Sequence, residues 1–172
     1  MATPTTLPST FTAGQVLTAA QMNDLRGAFR ILQVVSATKT DTSSTTSATL
    51  SDITGLSVSI TPSATTNKVL VIATGVYGSD SAAQSHYIQL VRGTTSIGVP
   101  AGGTTNQTLN LYPGAAGNRE AWSLSFLDSP ATTSATTYKL QFAATGGAIL
   151  YINRGTTDAR SISTITAYEV SA

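Results

Sequence analysis

The sequence contains no cysteine, one histidine and one tryptophan, and only 10% of its residues are charged. Without cysteine, neither a disulfide framework nor a thiolate metal site can form. Any Ser-His-Asp relay would have to use His86, and no nucleophile-elbow pattern occurs among the many serines. Asp24, Asp41, Asp52, Asp80, Asp128 and Asp158 are scattered one at a time across turns. They form no Asp-x-Asp run suited to calcium, and nothing in the sequence pairs two carboxylates as a glycosidase requires. The glycines at 102–103, 114–117 and 146–147 lack the lysine and the spacing of a phosphate-binding loop, and read as turns. These absences point to a chain that is not an enzyme and takes no cofactor and no metal.

Charge of one sign is also lacking. Nine Lys and Arg residues nearly cancel eight Asp and Glu. Such a balance produces no long-range field to draw in nucleic acid or an anionic membrane, so neither is an expected partner. The longest apolar stretch, 69–76, is far too short to span a bilayer. The first eight residues, with Pro4 and Pro8, have neither a basic nor an apolar leader region. The expectation is a soluble protein made in the cytoplasm, and Asn106-Gln107-Thr108 therefore carries no weight as a glycosylation sequon.

What is abundant is hydroxyl. About 50 of the 172 residues are Ser or Thr, 31 of them Thr. A Ser/Thr-rich chain with few apolar residues stays disordered, because it cannot offset the entropy of ordering. Here 41% of residues are hydrophobic and fall in compact alternating runs. A folded β protein follows, with Thr on the wet faces, since its branched Cβ fits a pleated surface.

The order of segments suggests an attachment device joined to a head. Residues 1–17 are rich in Thr and Pro and read as an extended arm. A short helix follows. Thr18 and Gln21 form a capping box, Leu17 and Met22 sit as its hydrophobic staple, and Met22, Leu25, Phe29 and Leu32 make one apolar stripe. With Gly27 inside it, this helix is marginal alone and must pack on its own β domain, on sister helices or on a larger assembly. Residues 1–31 are thus the anchoring segment, with Phe11, Val16, Leu17, Met22, Leu25 and Phe29 as its contact residues.

Residues 32–172 read as the head. Strands are expected over 32–38, 48–50, 56–60, 68–77, 86–92, 95–98, 121–128, 137–143, 149–153 and 162–170, with turn residues between them. Residues 101–119 have weak strand signal and read as a long loop or loose hairpin. So many short strands without helices predict an all-β, jelly-roll-like antiparallel β-sandwich. Most strands alternate cleanly, as in Trp122, Leu124 and Phe126 against Ser123 and Ser125. The run 69–73 (Val-Leu-Val-Ile-Ala) and the run 149–152 (Ile-Leu-Tyr-Ile) are apolar on both faces. A sandwich strand of that kind needs a second cover, from the N-terminal helix or from another subunit; a subunit interface is expected for at least one of the runs, with Val69, Val71, Leu150 and Ile152 as its residues. Tyr112, Asn118 and Arg119, in the Gly-rich stretch, form the candidate recognition loop: aromatic, amide and guanidinium groups stack on and hydrogen-bond sugars or proteins.

The segment 11–23 (Phe-Thr-Ala-Gly-Gln-Val-Leu-Thr-Ala-Ala-Gln-Met-Asn) resembles the opening of many small tail-associated and fibre-like proteins of tailed bacteriophages. The stretches 91–98, 125–130, 137–142 and 163–170 resemble β heads of that class, which are similar to trimeric jelly rolls of the tumour-necrosis-factor type. The resemblance implies a homotrimeric virion protein, made in the host bacterium, with its N-terminus held by other virion proteins. Two roles fit: a short tail fibre or tail-tip appendage touching a host-surface glycan or protein, or a capsid decoration (cement) protein that stabilises the head shell.

Overall fold

The computed structural model describes residues 14, 16, 18, 19, 22, 30–102 and 107–171. Within them run eleven strands: β1 (Ile31–Lys39), β2 (Ser43–Thr45), β3 (Ser51–Ile60), β4 (Lys68–Ser79), β5 (His86–Arg92), β6 (Thr95–Ile97), β7 (Leu109–Leu111), β8 (Arg119–Asp128), β9 (Thr136–Ala144), β10 (Leu150–Ile152) and β11 (Ser163–Val170). The chain is all-β, as the alternation required.

All pairings between strands are antiparallel, and they form two sheets. The first is built on β4. One edge of β4 pairs with β8 along nearly its whole length. The other edge is shared end to end by β11 and β10, with β1 beyond β11 and β2 beyond β10. The second sheet is built the same way on β5. Here β9 and then β3 lie on one side, while β7 and β6 share the other.

The two sheets pack through their apolar faces into one core, which gives a β-sandwich-like fold. Leu56, Ile88, Leu90, Tyr138 and Leu140 of the second sheet meet Val69, Val71, Ala73, Ile165 and Ala167 of the first, all fully buried. Each buried Val, Leu or Ile contributes roughly 1.5–3 kcal/mol. Polar staples join the sheets at the margins. Arg92 Nη1 on β5 donates to both carboxylate oxygens of Asp128 on β8 at 2.9 Å. His86 Nε2 on β5 lies 2.8 Å from Ser79 Oγ on β4. Glu169 on β11 accepts from Ser63 N, Ser63 Oγ and Asn67 Nδ2, pinning the β3–β4 turn beneath the first sheet.

Three expectations change. The strand expected at 48–50 is absent: β3 begins at Ser51, and the preceding short strand is β2. The stretch 101–119 contains β7, a three-residue strand on the edge of β5. Most importantly, Val69, Val71, Leu150 and Ile152 are all 0% exposed and belong to the core between the sheets. A side chain wholly covered inside one chain has no area left for a partner, so these four are not an interface. Strict alternation fixes which face is free: on β4 it carries Leu70, Ile72 and Val76. The β10 run is closed within the chain itself. Its outward residue Tyr151 lies under Arg154, whose guanidinium carbon sits 4.5 Å from the ring centroid.

Of the anchoring segment, the amide of Met22 donates to the carbonyl of Thr18 at 3.0 Å. Val16 and Met22 are exposed. Leu32, expected on the helix's apolar stripe, lies instead on β1, and Phe11, Leu17, Leu25 and Phe29 lie outside the described residues.

Candidate functional site

Two loops meet at one end of the first sheet. The first, ahead of β8, contains the tight turn 115–118, closed by the Asn118 amide donating to the Ala115 carbonyl at 3.2 Å. Its third residue, Gly117, has φ +83°, the left-handed value a type II turn demands there. The Gly117 amide in turn donates to Ser79 O at 2.7 Å, fastening the loop to β4.

The second loop, between β10 and β11, is set by Asn153. This residue is buried and left-handed, with φ +66°. Its Nδ2 donates to the carbonyls of Lys39 and Asp41, both at 2.9 Å, and its Oδ1 accepts from Ser163 Oγ. The loop closes through the Ser161 amide donating to Asn153 O at 2.9 Å. Backbone then meets backbone. A Cβ on Gly78 would lie 2.7 Å from both Arg154 O and Gly155 Cα, and one on Gly155 would lie 2.6 Å from Gly117 O. Both positions require glycine.

The result is an open cleft of about 590 Å³, within the range of roughly 300–1,000 Å³ typical of small-molecule sites. Val76 and Ala121, register partners on β4 and β8, contribute its apolar lining. Gly117, Asn118, Arg119, Thr157 and Ser161 line the rest, with Glu120. Glu120 Oε1 accepts from the Gly114 amide at 2.7 Å and Oε2 from Tyr77 Oη at 2.8 Å. These bonds hold its carboxyl below the usual range, the Gly114 amide having the larger effect. Tyr77 is pushed the other way, by burial first and by Glu120 second.

The same outer face carries a second feature, roughly 20 Å along β4 at about 3.3 Å per residue. Register aligns Val34, Tyr168, Leu70 and Leu127 in one row across β1, β11, β4 and β8. Val34 is 53% exposed and Leu127 54%. Exposed Ile31, Leu32 and Ile72 extend the patch. Between patch and cleft runs a hydroxyl row of Thr38, Thr164, Thr74 and Ser123, where Thr74 Oγ1 and Thr164 Oγ1 lie 3.1 Å apart.

Asn118 and Arg119 of the expected recognition loop therefore come together in the cleft. Tyr112 is 61% exposed but does not line it. His86 is fully buried and turned to Ser79, away from any surface. Sequence reading missed Thr157 and Ser161, which come from a loop some forty positions later; the turn-forming run Asn153, Arg154 and Gly155 was the available signal. It also missed the outer-face row, whose members are scattered over four strands. No known protein-family model matches the chain, and no curated protein matches it.

Proposed function

We propose that the chain is a structural protein of a tailed-bacteriophage virion. In this reading it is a homotrimeric tail fibre or tail-tip appendage, held to the particle by residues 1–31 and presenting its β head to the host surface. The head is a jelly roll: successive strands from β3 to β5 and from β8 to β10 alternate between the sheets, and the orders β1-β11-β4-β8 and β3-β9-β5 fit that topology. The protein acts by binding, and no catalytic role is assigned.

The observation that carries the reading is the outer-face row Val34, Tyr168, Leu70 and Leu127, exposed at its two ends and half-buried between them. Contiguous apolar surface rimmed by polar groups is characteristic of interaction sites. No charged side chain interrupts this row, so sister copies meet there without like-charge repulsion. The patch begins at Ile31, where the proposed anchor joins the head. Self-association at this end leaves the cleft free at the other.

A second reading, a trimeric capsid decoration protein, draws support from the size of the head, a single sandwich with no shaft segment among the described residues. Quantitative mass spectrometry of purified particles separates the two. A handful of trimers per virion supports the tail, and hundreds of chains support the shell. Absence of the protein from particles overturns both.

A further inference from the structure

Asn118, Arg119, Thr157 and Ser161 converge on the cleft, and none of their side chains bonds another described residue. The polar groups around them are committed: Glu120 to Gly114 and Tyr77, and Arg160 Nη2 to Asp158 Oδ1 at 3.0 Å. The close packing at Gly78 and Gly155 fixes the walls before any ligand arrives, which lowers the entropic cost of binding.

An amide and two hydroxyls donate and accept at once, matching the several hydroxyls of a sugar ring. Val76 and Ala121 supply a small apolar surface for its C–H face. The guanidinium of Arg119 is uncommitted and suited to bidentate pairing with a carboxylate. We infer that the cleft binds an acidic oligosaccharide. Arg119 takes the carboxylate of a uronic-acid residue, while Asn118, Thr157 and Ser161 hold its hydroxyls. This rests on reading the head as a host-contact domain, and it names the ligand class.

The test is calorimetry of the full chain with a hyaluronan hexasaccharide and an oligogalacturonate of equal length. Maltohexaose serves as the neutral counterpart and inorganic phosphate as the simple anion, alongside a host-cell binding assay. The expected result is that at least one uronate binds and maltohexaose is weaker by about tenfold or more. Arg119→Ala should weaken uronate binding by about the same factor and Arg119→Lys by less, with circular dichroism unchanged for both. Equal binding of maltohexaose, indifference to Arg119→Ala, or phosphate as the better ligand overturns the assignment. If no uronate binds but the chain still coats host cells, the ligand class falls and the host-contact reading stands. If uronates bind but cells are not coated, the cleft assignment stands and the host-contact reading falls. If neither binds, both fall.

Discussion

Tyr138 Oη on β9 donates to Asp128 Oδ2 on β8 at 2.6 Å, a buried bond from one sheet to the other. The same carboxylate holds Arg92, so one acid joins three strands at the margin of the core. Tyr138→Phe leaves a buried acceptor short of a donor and should cost about 1–3 kcal/mol in urea unfolding. Asp128→Ala strands the guanidinium and the phenol together and should cost more, about 3–5 kcal/mol.

Burial first, and Asp128 second, push the Tyr138 phenol well above its ordinary range. The unfolded chain releases this proton near pH 10, whereas the folded chain keeps it. The associated stability is therefore complete below about pH 10 and lost as pH rises beyond it. Tyr138→Phe should flatten part of that alkaline decline, measured as the urea midpoint between pH 8 and 11.

His86 should produce a decline on the acid side. Burial holds its imidazole below the ordinary value, against the weaker upward pull of Asp80. Below about pH 6.5 the unfolded chain takes up a proton that the folded chain refuses. Stability should therefore fall with pH, at up to about 1.4 kcal/mol per unit, until the folded value is reached. Asp41, Asp52, Glu120 and Glu169, all held low, lose their contributions only as pH falls through the carboxylate range. His86→Gln should thus flatten the unfolding profile between pH 5 and 7 and leave the steeper decline beneath it. An unchanged profile would assign the slope elsewhere.

Gly78→Ala tests how the cleft is built. The added carbon meets the backbone of Arg154, Gly155 and Asn118, all within 2.8 Å. The two loops must part, at a cost of about 1–3 kcal/mol. A loss of thermal stability together with loss of ligand binding is expected, whereas Arg119→Ala loses binding alone.

Much of the fold was legible because one face of most strands is wet. Trp122, Leu124 and Phe126 alternate with serines, and the structure buries Trp122 and Leu124 deeply and Phe126 in part. The runs at Val69 and Leu150 were illegible for the opposite reason. When both faces are apolar, period two no longer says which points inward, and Val69, Val71, Leu150 and Ile152 have the core's parity. The short β7 escaped notice because Leu109-Asn110-Leu111 is a single alternation amid Gly and Thr. Asn118 and Arg119 stand out by residue type and adjacency, whereas Thr157 and Ser161 join them in the cleft only through the β10–β11 loop, a proximity created by tertiary structure.

The proposed trimer forms through the outer face of the first sheet. Native mass spectrometry of the full chain measures this directly. A species of three times 17.6 kDa is expected, converted by Leu127→Glu to a folded species of 17.6 kDa. Val71→Glu, in the core, should instead unfold the protein. A folded monomer in the unmodified chain, or a trimer indifferent to Leu127→Glu, would contradict the account.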